Sequence, residues 1–355
     1  MSRWAKDPEE AADQLIGRAL AALNLEGRVL VASPDGAGSL RCELQRRGIG
    51  CKVWARRVGE RQDAAAGAQP WPPSGPFDAV LLRLPKSKDE QEMAISASIS
   101  VLAAAGRLIL YGGNAEGIRS AAGLLKRSCA ELATLATKGH GRVIAALPAH
   151  RAPTRASLAA WRQTTTLSIS GVVCTWVSYP GVFAAGRIDA ATALLAEAMP
   201  DLSAGMRALD FGCGSGVIAA SALAHRSSLR LDMLDHDAVA LTAAAENVPA
   251  GRPILGRRLA DTGATLYDAI LSNPPLHRGI AEDHGVLHAL VADAPKHLER
   301  GGVLQIVLPR KVALEGRLAR HFASVTLAAQ NASFRVWRAA APKAKAFLPP
   351  PGLRG

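Results

Sequence analysis

The stretch Asp210-Phe211-Gly212-Cys213-Gly214-Ser215-Gly216-Val217 decides the fold of this 355-residue chain. It follows an apolar run at 206–209 and precedes an alanine-rich segment at 217–225, so a strand, a tight turn and a helix are predicted in that order. Three glycines allow the backbone to turn sharply and to approach a ligand without Cβ clashes. The loop ends at a predicted helix N-terminus, whose free N–H groups suit a carboxylate or a phosphate. The stretch therefore predicts a ligand-binding loop in a parallel α/β sheet.

Short β-rich runs alternate with helix-like amphipathic stretches throughout the chain. These runs lie at 27–33, 77–85 and 106–113, and again at 206–212, 229–235, 267–275 and 301–309. Pieces of the two halves match in the same order, as Phe77-Asp78-Ala79-Val80-Leu81 and Tyr267-Asp268-Ala269-Ile270-Leu271 show. The pattern predicts an α/β protein built from two similar halves, although all parallel α/β sheets share part of this likeness.

The composition excludes several classes of protein. Hydrophobic residues are 49% and charged residues 20% of the chain, so it can bury real cores and is not disordered along its length. Five cysteines without a CxxC pair exclude a disulfide scaffold and a cysteine zinc site, and they fit a reducing compartment. The spacing of His284 and His288 lacks a third ligand, so no metal is expected.

The terminal and uncharged segments bear on where the protein acts. The N-terminus has charges where an export signal needs an apolar run. The uncharged stretch at 163–186 is too rich in Thr, Ser and Gly to span a membrane. We therefore expect a cytoplasmic protein without membrane contact.

The net charge of +12 favours a polyanionic partner such as RNA. A solvated surface is the competing interpretation for each group of cations. The candidate cations are Arg46, Arg47, Lys52, Arg56, Arg57 and Arg61, followed by Lys86, Lys88, Lys126, Arg127, Lys138 and Arg142.

The acid ahead of the glycines makes the loop more typical of S-adenosylmethionine (AdoMet) sites than of dinucleotide sites. The next predicted strand ends in Asp235, whose carboxylate can accept hydrogen bonds from both hydroxyls of a ribose. Capping of the following helix is the alternative role for Asp235. Asp261 is expected where the third strand ends, in reach of an adenine amino group. The predicted cofactor residues are Asp210, Gly212, Gly214, Gly216, Asp235 and Asp261.

A second motif, Ser272-Asn273-Pro274-Pro275-Leu276, follows the predicted strand at 267–271. The side-chain oxygen of Asn273 and the carbonyl of Pro274 can both face one point, where they would accept the two hydrogens of a planar exocyclic amine. Such acceptors hold the nitrogen in line with a cofactor methyl group, which is catalysis by positioning. A simple strand-exit turn is the alternative, but the glycine loop upstream favours methyl transfer to an amino group.

At this point the second half resembles the 16S rRNA (guanine-N2-)-methyltransferase C type family. The resemblance rests on Tyr179-Pro180-Gly181-Val182-Phe183, on Asp210–Gly216, on Ser272–Pro275 with His277 and Gly279, and on Phe334-Arg335-Val336-Trp337. The first half is similar more loosely, through Leu84-Pro85-Lys86-Ser87-Lys88 and Gly112-Gly113-Asn114.

The resemblance implies two tandem class I methyltransferase (Rossmann-like) domains, of which the N-terminal one is degenerate. We expect the degenerate domain at 1–155, the catalytic domain at 164–341 and a disordered, basic, proline-rich tail at 342–355. When the halves are aligned, Asp210 falls on Val31, Gly212 on Ser33 and Asn273 on Arg83. The first half is therefore predicted to be a relic that contacts RNA or chaperones the second.

The resemblance also implies AdoMet-dependent methylation of the N2 amine of a guanine in small-subunit rRNA, by a monomer acting on rRNA or on the small ribosomal subunit. Phe183 is expected to close the site over its ligands. Leu276 stands where the family has an aromatic residue that stacks on the base, so it offers apolar contact without a π-face. The alternatives are another planar amine (a large-subunit guanine, an adenine or a protein glutamine) or a non-catalytic RNA-binding assembly factor.

Overall fold

The computed structural model describes residues 8–34, 38–59, 67–138, 141–149, 155–274, 277–278, 281–282 and 285–343. Each half of the chain forms its own α/β unit, as the alternating pattern predicts. The helices of the first half are α1 (Pro8–Ala19), α2 (Gly38–Arg46), α3 (Lys88–Ser100) and α4 (Ile118–Leu125). Its strands are β1 (Val29–Ser33), β2 (Cys51–Ala55), β3 (Phe77–Arg83), β4 (Leu102–Gly113), β5 (Cys129–Lys138) and β6 (Gly141–Pro148).

The second half is larger. Its helices are α5 (Ala190–Glu197), α6 (Val217–His225), α7 (Ala238–Asn247), α8 (Gly285–Asp293) and α9 (Glu315–His321). Its strands are β7 (Gln163–Ile169), β8 (Val172–Ser178), β9 (Arg207–Phe211), β10 (Arg230–Asp235), β11 (Arg252–Leu255), β12 (Tyr267–Ser272), β13 (His277–Arg278), β14 (Ala281–Glu282), β15 (Leu298–Pro309), β16 (Phe322–Gln330) and β17 (Phe334–Pro342). Strands β7 and β8 pair as an antiparallel ribbon at the start of this half.

The two main sheets share one topology. The first has the order β2-β1-β3-β4-β6-β5, and the second has the order β11-β10-β9-β12-β15-β17-β16. In both, the strands before the last two are parallel, and the final hairpin is antiparallel. Strands such as β1 and β9 are apolar and buried, because helices cover parallel sheets on both faces.

Equivalent residues of the two halves make equivalent contacts. Ala32 pairs with Leu82 in the first sheet as Phe211 pairs with Ser272 in the second. The carboxylate of Asp78 accepts the Arg28 N–H at 2.7 Å, and that of Asp268 accepts the Arg207 N–H at 2.8 Å. The likeness seen in the sequence is therefore present in the register and in the turn that precedes each sheet's central strand.

Within the described residues, the first sheet has no counterpart of β11, and the chain after β2 contacts the second half. There the Val58 N–H donates to the carbonyl of His236 at 2.8 Å, and the Ala238 N–H donates to the carbonyl of Arg56 at 3.0 Å. The halves are thus joined by backbone pairing between the segment after β2 and the segment after β10.

Two arginines of the predicted RNA-facing stretch belong to this junction instead. Arg56 is 4% exposed, and its Nε lies 2.9 Å from both carboxylate oxygens of Asp237. Arg57 forms a bidentate pair with Glu90 at 2.9 and 2.7 Å. Their assignment to a solvent-facing cationic surface is wrong, since the second half supplies a buried carboxylate that the sequence alone does not place. Arg46 remains exposed, and Arg61 lies outside the described residues.

Apolar packing and a glycine complete the junction. Gly181 has φ +80°, and a Cβ there would come within 3.0 Å of the side chains of Arg56 and Glu90, so the close approach requires glycine. The buried apolar residues that pack together here are Met93, Trp161, Val177, Tyr179, Val182, Val239, Ala240 and Ala243.

The end of the chain differs slightly from the expected boundary. Pro342, assigned to the tail by the sequence, is the last residue of β17, where it pairs with Phe322. Residues 344–355 lie outside the described residues, so the disorder expected for the tail stays a prediction. Across the described ranges, no helix combines the length and the apolar character that crossing a membrane requires.

Candidate active site

Three neighbouring strands of the second sheet end at one level. Phe211 pairs with Leu234 on one side and with Ser272 on the other, so the next residues, Asp235, Gly212 and Asn273, lie side by side at the carboxyl edge of the sheet. The strand order reverses its direction between β9 and β12. In open parallel sheets, ligands bind beyond the carboxyl ends of the strands at such a reversal.

The glycine loop is held by the neighbouring strand. The N–H groups of Gly212 and Cys213 both donate to the carbonyl of Leu234, at 2.8 and 3.0 Å. Gly214 has φ +54°, and among the described residues a Cβ there would meet nothing within 4 Å. Gly216 has φ +92° and needs glycine for another reason, because its Cβ would lie 3.1 Å from the Val248 side chain behind α7. Gly214 therefore borders open space, whereas Gly216 serves the packing of helix against helix.

Asp210 is a fully buried acid with an unused acceptor. Its Oδ2 accepts the Ala219 N–H of α6 at 3.0 Å, while Oδ1 has no hydrogen-bond partner within the described part of the chain. Burial raises the pKa of Asp210 to about 7, against the effect of that N–H and with help from the charge of Asp235. A buried carboxylate with one free oxygen suits a cationic or hydrogen-bonding ligand, as predicted for the cofactor.

Asp235 binds the loop as well as facing the site. Its Oδ2 accepts the Gly214 N–H at 2.8 Å, and its Oδ1 accepts the Asp237 N–H at 2.9 Å. Helix α7 is capped by Asp237, which accepts the N–H groups of Val239 and Ala240. The capping alternative for Asp235 is therefore wrong. Oδ1 also lies 3.1 Å from His236 Nδ1, whereas Oδ2 keeps a second lone pair that a ribose hydroxyl could use, so the ribose contact stays a prediction.

The residues around Asp235 form a charged set. Burial lowers the pKa of His236, but the carboxylates of Asp235 and Asp237 outweigh it, so the pKa is raised overall. Burial raises the pKa of Asp237, but Arg56 and Arg57 hold it at about 2. The segment after β10 thus carries a charge that the first half neutralises.

Asp261 does not lie at a strand end. Strand β11 ends at Leu255, and Asp261 sits exposed in a short 3₁₀ turn. Its Oδ2 accepts the N–H groups of Arg257 and Arg258 at 2.7 and 2.8 Å. The expected strand end is wrong, because the acid stabilises the turn after β11, and its contact with adenine stays a prediction.

Asn273 is fixed by residues that the sequence did not connect with it. Its Nδ2 donates to Thr192 Oγ1 at 3.0 Å and to Asp189 Oδ2 at 3.3 Å. Asp189 is the N-cap of α5, a role its position before an apolar helix could have indicated. Nothing in the sequence indicated that this cap faces Asn273. Pro274 is buried beside it, and the predicted site residues Pro275 and Leu276 lie outside the described residues.

Phe183 is 64% exposed and begins a strained turn. Ala184 and Ala185, which follow it, have φ values of +61° and +46°, in the left-handed region that alanine rarely adopts. The same connection leads directly to Asp189 and α5. The role of Phe183 in closing the site over its ligands stays a prediction.

The site offers neither a reactive thiol nor, in the described residues, a cluster of metal ligands. Burial, together with the charges of Asp235 and Asp210, raises the pKa of Cys213, so this residue stays a thiol, as expected of a small loop residue. Within the ranges that the structure describes, no three His, Cys, Asp or Glu side chains gather in a way that could hold a metal ion.

The first half fills the equivalent place with an ion pair. Arg83, which aligns with Asn273, is buried and donates to both oxygens of Glu116 at 2.6 and 2.7 Å. The register of β1 with β2 places Ala55 where β10 has Asp235. This half therefore lacks the predicted amine acceptor and the predicted ribose acceptor.

Comparison with known proteins gives the same domain pattern. Residues 174–338 match the family model "Methyltransferase small domain", and residues 22–164 match "Methyltransferase small domain N-terminal". The chain is similar in fold to a T. thermophilus 16S rRNA N2 methyltransferase solved in complex with AdoMet and guanosine. The TM-score is 0.82 at 23% identity, covering 96% of this chain and 93% of that one.

Several relatives of closer sequence carry the name ribosomal RNA small subunit methyltransferase C. The protein of that name from Pseudomonas fluorescens is 34% identical over 75% of this chain and 80% of its own length. The one from Alteromonas mediterranea is 31% identical over 73% and 72%, and the one from Hahella chejuensis is 28% identical over 89% and 94%. The predicted family and the predicted pair of methyltransferase domains are confirmed. The chain belongs to the family of the ribosomal RNA small subunit methyltransferases C.

Proposed function

We propose that this protein transfers a methyl group from AdoMet to the exocyclic N2 of a guanine in 16S rRNA. The observation that carries the proposal is the placement of Asn273 beside the glycine loop, with its amide nitrogen bound to Thr192 and Asp189. An amide held through its nitrogen turns its oxygen away from those partners. Oδ1 is thereby available as an acceptor for an amine.

The residues of the second sheet would hold the cofactor at its carboxyl edge. AdoMet supplies a methyl group on a positively charged sulfur, together with an ammonium group. The free oxygen of Asp210 and the charge of Asp235 fit such a cation, and the open space at Gly214 lets the backbone approach it. Asp235 would accept hydrogen bonds from the ribose, and Asp261 from the adenine amine.

Asn273 and Pro274 would act on the substrate. The side-chain oxygen of Asn273 and the carbonyl of Pro274 accept the two N–H bonds of the guanine amine, which orients its lone pair toward the methyl group. Positioning of this kind lowers a barrier without a strong base. The base leaves its stack to reach the edge of the sheet. Phe183 and Leu276 would supply apolar contact around it, with Pro275 keeping the turn rigid.

We also propose a partner, an oligomeric state and a cellular location for the protein. The partner is rRNA, either free or in the small ribosomal subunit, and the net charge of +12 supports its attraction. Lys126, Arg127 and Lys138 are exposed and remain candidates for phosphate contact. The protein would act as a monomer in the cytoplasm, and the first half (1–155) would support the catalytic domain (164–341) without a cofactor of its own.

The test is a methylation assay with labelled AdoMet on 16S rRNA and on small subunits that lack the modification. Nuclease digestion and mass spectrometry should find N2-methylguanosine. Asn273→Ala should lower turnover by about 10²–10³-fold, or about 2.7–4 kcal/mol, while AdoMet still binds. Asn331→Ala is the control, because the Asn331 side chain accepts N–H groups within the turn between β16 and β17.

Each alternative has its own result. Label on an adenine, on large-subunit rRNA or on a protein glutamine would mean that the target amine was wrongly assigned. Absence of AdoMet binding in calorimetry would favour the assembly factor. Wild-type turnover of Asn273→Ala would show that the Asn-Pro-Pro turn is structural.

A further inference from the structure

We propose that Asp189 and Thr192 are positioning residues that set the direction of the Asn273 amide, so that its oxygen and not its nitrogen meets the target amine. This inference rests on the proposed function. Asp189 is the N-cap of α5, and Thr192 lies in the first turn of that helix. They are 84 and 81 positions from Asn273 in the chain.

The carboxylate of Asp189 is fixed by the start of α5. Its Oδ1 accepts the Ala191 N–H at 2.9 Å and the Thr192 N–H at 3.4 Å, which caps α5 and fixes the carboxyl group. Its Oδ2 is left facing the hydroxyl of Thr192 and the amide of Asn273. An ionised carboxylate can only accept hydrogen bonds, so both neighbours must present hydrogens to it.

The hydroxyl of Thr192 connects the carboxylate of Asp189 to the amide of Asn273. Its hydrogen is used toward Asp189 Oδ2, so its oxygen offers a lone pair to Asn273. Only the NH₂ group of the amide can satisfy both that lone pair and the carboxylate. A rotation of the amide by half a turn would bring Oδ1 against two acceptors, in a place where Thr192 is buried and unmatched polar groups are costly.

The direction matters for the chemistry. If the amide were reversed, its NH₂ would face the hydrogens of the guanine amine, and donor would meet donor. Among the described residues, the Asn273 side chain bonds through Nδ2 alone, to Thr192 and Asp189. The two residues therefore act through Asn273 and touch neither substrate nor cofactor in this scheme.

The main variant is Thr192→Val, which keeps the shape of the side chain and removes the hydroxyl. Turnover should fall about 10- to 100-fold, the loss that follows at metal sites when a residue that orients a ligand is removed. The Kd for AdoMet and the KM for RNA should stay as in the wild type. Thr192→Ser should restore turnover, because serine keeps the hydroxyl. Thr262→Val is the matched control, since Thr262 is equally buried and its side chain bonds to Leu259 and Tyr267 and not to Asn273.

Asp189→Asn provides a second variant that keeps the cap. The N–H groups of Ala191 and Thr192 require an oxygen at the position of Oδ1, so an amide NH₂ would replace Oδ2. That NH₂ would donate to the Thr192 hydroxyl and remove the demand on Asn273. Turnover should fall as in Thr192→Val, and AdoMet binding reports that the domain is folded.

A double-mutant cycle separates positioning from a general structural role. Once Asn273→Ala has removed the amide, adding Thr192→Val should not lower turnover further. A full second loss in the double variant, or wild-type turnover of Thr192→Val, would overturn the inference and leave the proposed function standing. Wild-type turnover of Asn273→Ala itself would instead remove the proposed function.

Discussion

Replacing Arg56 by alanine should destabilise the protein and weaken AdoMet binding, although Arg56 belongs to the half without a predicted cofactor site. The guanidinium is 4% exposed and lies between the halves. Its Nε contacts both oxygens of Asp237 at 2.9 Å, and a terminal nitrogen donates to the Pro180 carbonyl at 2.8 Å. The change would leave a buried carboxylate without its main partner.

The size of the effect follows from these contacts. Removing one member of a buried ion pair costs about 3–5 kcal/mol. Arg57 lies 3.2 Å from Asp237 and keeps part of the compensation, which places the expected loss near the lower end, about 3 kcal/mol. At roughly 2–4 °C per kcal/mol for a domain of this size, the melting temperature should fall by about 6–12 °C.

Arg56 is connected to the predicted cofactor site through the backbone of Asp237 and Ala238. The Asp237 N–H donates to Asp235 Oδ1, and the carbonyl of Arg56 accepts the Ala238 N–H. Loosening Asp237 therefore releases one of the contacts that hold the predicted ribose acceptor. Calorimetry with AdoMet should show a weaker Kd for Arg56→Ala at a temperature where the variant is folded.

Arg46→Ala is the matched control. Arg46 belongs to the same basic stretch, but its side chain is 74% exposed and pairs with Glu43 on the surface of α2. Such pairs add little measurable stability. If Arg56→Ala melted no lower than Arg46→Ala, the junction would not carry the energy assigned to it.

The pH dependence gives an independent check. The pKa of Asp237 is held at about 2, below its value near 3.9 in unfolded chains, so its stabilising contribution is present above about pH 4 and is lost as pH falls toward 2. The difference in melting temperature between wild type and Arg56→Ala should therefore be constant from about pH 8 to 5 and narrow only below about 4. A difference that disappears near neutral pH would point to another group.

Two further changes test the cofactor site. Asp235→Ala should weaken AdoMet binding by more than the loss of its ribose hydrogen bonds, each worth about 0.5–1.5 kcal/mol, because the Gly214 N–H also loses its acceptor. Calorimetry should give one AdoMet site per wild-type chain. An unchanged AdoMet affinity of the variant would refute the assignment of Asp235 to the ribose. Asp210→Asn should remove a pH dependence. Burial raises the pKa of Asp210 to about 7, so the contribution of this one group to the stability of the cofactor-free protein is largest below about pH 4 and falls by up to roughly 4 kcal/mol as pH rises to about 7. Melting curves of the asparagine variant that kept the wild-type slope would contradict this origin.

Local patterns predicted the sheets and the loop well. The glycines after Phe211 could be assigned because tight turns and close ligand approach leave few other choices of residue. The repeated Phe-Asp and Tyr-Asp pieces were informative because Asp78 and Asp268 hold the same turn in each half. These features depend on contacts with the neighbouring turn or strand, which the residue types themselves reveal.

Contacts between distant segments were not predictable in the same way. In the sequence, Arg56 and Arg57 cannot be told apart from other cations. Only the fold shows that they pair with Asp237 and Glu90. Thr192 carries no sign of its partner Asn273, because one hydroxyl in a helix has many uses. Asp261 was assigned to a strand end because the sequence at 252–262 does not show that β11 is so short.

The junction between the halves explains why a half without a predicted cofactor site can be retained. The segment after β2 and the segment after β10 hold equivalent places in the two sheets, and they pair antiparallel, Arg57 opposite Asp237. Each contributes one N–H and one carbonyl at matching positions, as two identical subunits would across a two-fold axis. The charges differ between the two segments, with arginines on one side and a carboxylate on the other. The first half has Ala55 at the place of Asp235, and its Arg56 pairs with Asp237, whose N–H donates to Asp235.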